Sequence, residues 1–269
     1  MSSSTLVAAG TLCVGCALLA VSLTAAGQAA PPAPQTTAGL LEDLVYANRI
    51  LQHENVIDAF GHISVRDPQN PSRFYMSTNV APSMVTAKDI LQYDMDCNAT
   101  TGGRPNVGYG ERFIHCGVYR ARPDVNSVIH GHSLTLIKFG ITRTPLRAVF
   151  LMGGFLGTTG IPIFDIRDVN PKTNMMVTSN PLGDALAKTL ADRPVALMRG
   201  HGQTVVGNSI PQAVVRAYYA EVNATLQAEA LQMGTAITYL SLDEAALAAM
   251  SVSIQRPWEM FKSRIGRIE

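Results

Sequence analysis

The sequence predicts an α/β domain, one sheet covered by helices, and three observations carry that expectation. Short β-prone runs alternate with helix-periodic runs, so sheet and helix come from one continuous stretch of chain. The alternation lacks a regular βαβ repeat and a Gly-rich dinucleotide fingerprint, which sets a Rossmann arrangement aside. The chain has 269 residues and is 47% hydrophobic, which is enough apolar material for one globular core.

The chain opens on a segment that does not belong to that core. Its first charged residue is Glu42, and Leu6 to Ala26 is a run of Leu, Val, Ala, Gly, Ser, Thr and Cys. Residues 1–29 are therefore read as a signal peptide or a membrane anchor, with Gly27-Gln28-Ala29 as a small-x-small cleavage pattern. No Lys or Arg precedes the apolar run, and its length keeps an uncleaved anchor as the alternative. The expectation is export, periplasmic or secreted. Residues 30–38, with Pro31, Pro32 and Pro34, read as a linker, and residues 39–269 as the domain.

Within the domain, Leu40, Leu41, Leu44, Val45 and Leu51 recur at helical spacing, which predicts a helix over about 38–53. His62-Ile63-Ser64-Val65 and Arg73-Phe74-Tyr75-Met76 are β-prone runs on either side of Asp67-Pro68-Gln69-Asn70-Pro71, a hairpin connection. Thr86 to Asp89 has the form of a capping box ahead of Ile90-Leu91-Gln92-Tyr93. A helix is expected from about Glu111 to Arg120, a strand at Val128 to His132, and a helix at Leu134 to Phe139. Further on come a helix around Leu182 to Leu190 and strands at Val195 to Met198 and Thr204 to Val206. Ser209-Ile210-Pro211-Gln212 then opens a helix reaching toward Met233.

Lys+Arg 21 against Asp+Glu 20 leaves a net charge of +1, too little field to gather a polyanion, so nucleic acid is excluded as a partner. Past the N-terminal segment the cysteines are Cys97 and Cys116, too few for a disulfide framework, and whether they pair is left open.

Two of the six histidines fall in Val128-Ile129-His130-Gly131-His132-Ser133. On a strand, residues i and i+2 share a face, so both imidazoles reach one cation. By themselves they are better explained as polar residues at a strand end. Arg199-Gly200-His201-Gly202 adds a third histidine in a tight turn straight after an apolar strand. Three neutral imidazoles form a facial ligand set with open positions, the arrangement of a catalytic metal. Glu111 is either a carboxylate at a helix N-terminus or a group that ligates the metal at rest and cycles a proton when substrate displaces it. His115, one turn later, reads as a core histidine.

The order Glu111-x3-His115, Arg122-Pro123-Asp124, His130-Gly131-His132 and His201-Gly202 resembles the class II aldolase/adducin family. The likeness extends from Gly61-His62-Ile63-Ser64-Val65-Arg66 to the helix after Ser209. It implies an αβα three-layer sandwich with a central mixed or antiparallel sheet, one divalent cation held by His130, His132 and His201, and Glu111 as acid/base. It also implies zinc as the expected metal, manganese or iron as alternatives, and a homotetramer with sites at subunit interfaces.

Sugar-phosphate members of that family hold the phosphate on small donor residues, where this chain has Gly61-His62, Val80-Ala81-Pro82-Ser83 and Tyr109-Gly110. With those donors largely absent, the pattern is closer to the branch that decarboxylates hydroxy-aromatic or hydroxypyridine carboxylates. Both chemistries must stabilise the electrons left when a C–C bond breaks, so the metal site transfers between them. Glu111 or His62 would protonate the carbon. Arg112, Arg147 and Arg199 are candidate clamps for a carboxylate, and Phe150, Met152 and Phe155 candidate apolar walls. The alternatives are a sugar-phosphate aldolase or dehydratase, a non-catalytic adducin-like interaction module, and an oxygenase on the same scaffold.

Overall fold

The computed structural model describes residues 1, 36–101 and 108–268. The expected signal segment and most of the linker lie outside the described residues. Of the two compact units into which the chain divides, Gln35–Glu269 is the one described below.

Helix α1 (Thr37–His53) opens the domain, with the Thr36 hydroxyl accepting the Gly39 N–H at 3.2 Å. Strands β1 (His62–Arg66) and β2 (Arg73–Ser77) form the expected antiparallel hairpin. Asp89 accepts both the N–H and the hydroxyl of Thr86, at 2.9 and 2.7 Å, and the chain then enters β3 (Ile90–Asp94). Next come α2 (Phe113–Ala121), β4 (Ser127–Gly131) and α3 (Leu134–Ile141), the last capped by Ser133. A short β5 (Ile163–Phe164), α4 (Asn180–Leu190), β6 (Val195–Met198) and β7 (Gly202–Gly207) follow. Capped by Ser209 and with Pro211 in its first turn, α5 runs Ile210–Gln232. Two C-terminal helices, α6 (Leu242–Ser251) and α7 (Gln255–Ile265), complete the described chain and have no counterpart among the expected elements.

Among the described residues the strands form one sheet in the order β3-β2-β1-β4-β7-β6-β5. It is mixed, since β5 and β6 run parallel and every other pair antiparallel. Alternation along each strand divides the core in two. Ile63, Ile129, Leu197 and Val205 pack into one hydrophobic cluster with α1, α3, α5 and α7. Val128, Ala196, Met198 and Val206 pack into another with α2 and α4. That is the αβα sandwich, and it assigns His62, Ser64 and His130 to the α2 face, opposite Ile63 and Ile129.

Two boundaries shift in ways that matter for the site. The α2 helix begins at Phe113, so Glu111 lies in the turn before it, where the Arg112 N–H bonds back to the Tyr109 carbonyl at 3.3 Å. The β4 ladder ends at Gly131, which leaves His132 one residue beyond the strand. Cys97 and Cys116 are joined, with Cα atoms 5.8 Å apart, and tie the end of β3 to α2. No helix among the described residues is long and apolar enough to cross a membrane.

Candidate metal centre

Four side chains from three separate parts of the chain converge on the α2 face of the sheet. Ligand atoms of Glu111, His130, His132 and His201 all lie within 4.8 Å of one another, and no other such group of acidic, His and Cys side chains occurs among the described residues. His130 is carried by β4, and His132 by the turn into α3. His201 sits in the β6–β7 turn, where Gly200 at φ +64° makes the reversal and the His201 N–H returns to the Met198 carbonyl at 3.0 Å. Glu111 reaches the cluster from the turn ahead of α2. Its Oε1 accepts the Val177 N–H at 2.8 Å, and its Oε2 stands 3.6 Å from His130 Nε2 and 3.3 Å from His201 Nε2.

The hydrogen bonds around the cluster decide which way the lone pairs point. His130 Nδ1 lies 3.1 Å from the Gln203 carbonyl, which only accepts, so the proton is on Nδ1. His132 Nδ1 lies 2.9 Å from Asp58 Oδ1, an oxygen that also accepts the N–H groups of Phe60 and Gly61. Burial works to raise the Asp58 carboxyl, but the His132 hydrogen bond and those N–H donors outweigh it and hold its pKa below the ordinary value. With both Nδ1 atoms protonated, the two Nε2 lone pairs face each other at 3.1 Å, beside a carboxylate oxygen. Unprotonated donors that close repel unless a cation lies among them. Neighbouring nitrogens on a tetrahedral zinc stand about 3.3 Å apart, so the donor set fits a single divalent ion. His201 Nδ1 is buried and unpartnered.

Electrostatics point the same way. Burial lowers the pKa of His130, which keeps the ring neutral.

His62 pairs directly across from His130 on the neighbouring strand, with ring centroids 5.2 Å apart. It is 1% exposed, and its other face lies on Tyr109 at 4.4 Å. His115 is buried as expected but is not merely packed: Nε2 lies 2.7 Å from His62 Nδ1 and Nδ1 2.6 Å from Ser64 Oγ. Buried polar chains of this kind give no periodic signal in sequence.

The three candidate arginines make no hydrogen bond or ion pair with the cluster among the described residues. Arg112 donates to the carbonyls of Cys97 and Tyr109, at 2.9 and 3.1 Å, and stacks on Phe113, so its guanidinium braces the loop carrying Glu111. Arg199 donates to Asp165 at 2.8 Å. Arg147 lies over the Tyr239 ring at 5.0 Å. The expected apolar wall is likewise displaced: Phe155 packs against the main core and Phe150 against Tyr219, because the Leu151–Leu156 turn packs on α5 and α6. Asp58 and the Gln203 carbonyl are parts of the site that sequence reading missed. The only cue for Asp58 was a turn-forming residue shortly before Gly61.

Comparison with known proteins agrees with this architecture. Residues 42–228 match the Class II Aldolase and Adducin N-terminal domain. A protein named Decarboxylase tropJ, from Talaromyces stipitatus, is 36% identical over 199 residues, 70% of this chain and 74% of that protein. The 3,4-dihydroxyphthalate decarboxylase of Arthrobacter keyseri is 29% identical over 86% of this chain and 96% of its own. Among solved structures, an aldolase II superfamily protein from Pseudomonas syringae superposes with a TM-score of 0.70 at 18% identity, covering 84% of this chain and 91% of that one. An L-fuculose 1-phosphate aldolase gives a TM-score of 0.68 at 19% identity, with 80% and 96% covered.

Proposed function

This chain belongs to the class II aldolase and adducin family, and from that premise we propose that it is a divalent-metal-dependent carbon–carbon lyase that decarboxylates a small hydroxy-aromatic or related carboxylate. The observation that carries the reading is what surrounds the cluster of Glu111, His130, His132 and His201. The neighbouring positions hold the rings of His62 and Tyr109, and the Tyr109 hydroxyl is committed to the Val80 carbonyl. A phosphate dianion needs several convergent donors, and these residues do not supply them. A planar hydroxy acid needs instead chelating oxygens at the metal and apolar or aromatic neighbours, which this surrounding suits better.

His130, His132 and His201 would hold the ion, with Glu111 beside them. When bound, the metal would supply a Lewis acid for a substrate oxygen next to the carboxylate, and so an electron sink for C–C cleavage. Asp58 and the Gln203 carbonyl fix the tautomers and ring orientations of His132 and His130. Glu111 is anchored through Oε1 by Val177, which leaves Oε2, beside the His201 and His130 Nε2 atoms, as the oxygen to accept a proton from substrate and return it. His62, on the same face, is the second candidate to protonate the carbon that loses CO2. Zinc is the proposed metal, with manganese or iron as alternatives.

A homotetramer and export complete the reading. Export is supported by the apolar segment before Glu42 and by the Cys97–Cys116 bond, which persists in oxidising compartments. The deciding experiment measures CO2 release from a panel of hydroxy-aromatic mono- and dicarboxylates by metal-reconstituted protein, alongside cleavage of L-fuculose 1-phosphate. Release of CO2 from a member of the panel is the expected result. Efficient cleavage of the ketose phosphate, with no hydroxy acid bound or decarboxylated, would replace this assignment with the aldolase one.

A further inference from the structure

Behind His62 runs a buried chain of hydrogen bonds whose direction can be worked out atom by atom. His62 Nδ1 lies 2.7 Å from His115 Nε2, His115 Nδ1 lies 2.6 Å from Ser64 Oγ, and Ser64 Oγ lies 2.7 Å from the Tyr119 hydroxyl. All four residues are at most 2% exposed, so water does not substitute for a missing partner. His62 and Ser64 share a face of β1, while His115 and Tyr119 sit one turn apart on α2, so the chain crosses the sheet–helix interface three times.

Tyr119 sets the polarity. Burial raises its pKa well above the usual range for a phenol, so it keeps its proton. The one side-chain partner of its hydroxyl among the described residues is Ser64 Oγ, which must therefore accept. Ser64 then directs its own proton to His115 Nδ1. A neutral imidazole accepting at Nδ1 carries its proton on Nε2, and His115 Nε2–H points to His62 Nδ1. The reverse direction fails at its far end, where the Tyr119 proton would have no side-chain acceptor.

We propose that Tyr119, Ser64 and His115 are positioning residues that act as a one-way hydrogen-bond chain, confining the ring proton of His62 to Nε2 and so making His62 a fixed N–H donor beside the metal-ligand cluster. His62 lies against His130, and a ring locked as a donor cannot compete for the cation through that nitrogen. It serves instead to stabilise negative charge developing on a substrate. The tautomer follows from the hydrogen bonds together with the proton that the buried Tyr119 retains. Its effect on turnover rests on the lyase reading given above.

The test is 15N NMR of the full-length protein labelled at the histidine imidazoles, recorded without metal and after loading with zinc. The expected His62 spectrum has an unprotonated Nδ1 and a protonated Nε2, and Tyr119→Phe should release that constraint and give a mixture of tautomers. A wild-type His62 proton on Nδ1, or a tautomer unchanged in Tyr119→Phe, overturns the proposal. A kinetic arm uses His115→Gln, whose amide reaches the position of Nε2, and His115→Leu, which offers no donor. With metal content equal, kcat in the Leu variant should fall about tenfold or more at nearly constant KM, and the Gln variant should recover most of it. Equal kcat in the two variants would remove the functional part of the proposal. If no hydroxy acid is turned over, the spectra still decide the tautomer, so failure of the lyase reading and failure of this chain are told apart.

Discussion

Replacing Gly202 by Ala should separate the two halves of the metal site. A Cβ at this position would lie 2.0 Å from the Gly131 carbonyl oxygen, 3.0 Å from its carbon and 3.2 Å from His132 Cδ2. Relief to the 3.4 Å of an ordinary contact requires β7 to move from β4 by about 1.4 Å, and the obstacle is backbone that cannot rotate away. Overpacking of this kind costs about 1–3 kcal/mol. About 0.4–1 kcal/mol returns because Ala narrows the unfolded ensemble. The net loss, about 0–2.6 kcal/mol, corresponds to a fall in Tm of at most about 10 °C at roughly 2–4 °C per kcal/mol. The functional loss should be larger. His201 precedes Gly202, while His130 and His132 flank Gly131, so the strain parts one ligand from the other two. A misplacement of about 1 Å costs on the order of 10²-fold in rate. The assay is zinc competition against a chromophoric chelator, with a thermal melt and turnover measured on the same preparation. Gly110→Ala is the control, because its Cβ would meet only Met176 Cε at 3.7 Å, although it neighbours Glu111. Wild-type zinc affinity in Gly202→Ala would refute the reasoning, and so would an equal loss in Gly110→Ala.

Removing any ligand by His130→Ala, His132→Ala or His201→Ala should leave protein that retains no stoichiometric metal by elemental analysis. Asp58→Asn should weaken affinity about 10–100-fold, since His132 Nδ1 loses its anionic partner. Glu111→Gln should keep the fold, the Val177 hydrogen bond and most of the metal while turnover falls by about 10²–10⁴; activity within about tenfold of wild type would remove Glu111 from proton transfer. Burial pushes His115 down to about 3 from 6.5, so the unfolded chain takes up a proton that the folded one refuses. Its contribution to stability is complete above pH 6.5 and is lost as pH falls from there toward 3. Urea midpoints of metal-free protein should decline across that window, and less steeply in His115→Gln; parallel profiles for the two proteins would contradict this.

Much of the fold was legible because its cues are local. The short β-prone runs Val195 to Met198 and Thr204 to Val206, the Pro-containing connection after Val65, and the Ser209-x-x-Gln212 start each act over a few residues, and all lie in the elements they predict. Of the C-terminal helices, α6 opens on a local cue, the Ser241–Glu244 capping box, whereas α7 escaped because its stabilisation is remote. Trp258 and Phe261 of α7 find their partners in a core built by α1 and α5. The short β5 is a strand only because β6 lies alongside it.

For the centre, the sequence by itself determined which side chains were available: three histidines in two Gly-containing settings and a glutamate upstream, residue types whose chemistry suits one cation. Tertiary structure decided their relations. It brought Glu111 from the turn before α2 to within 3.6 Å of His130 and 3.3 Å of His201, turned Arg112, Arg147 and Arg199 to other partners, and placed Asp58 behind His132. It also turned His115 from a core residue into the link between Ser64 and His62. Ligand identity is a property of each side chain and survives in one dimension. Hydrogen-bond partners, desolvation and the direction of a lone pair depend on distances between residues far apart in the chain, and those distances exist only once the sheet has assembled.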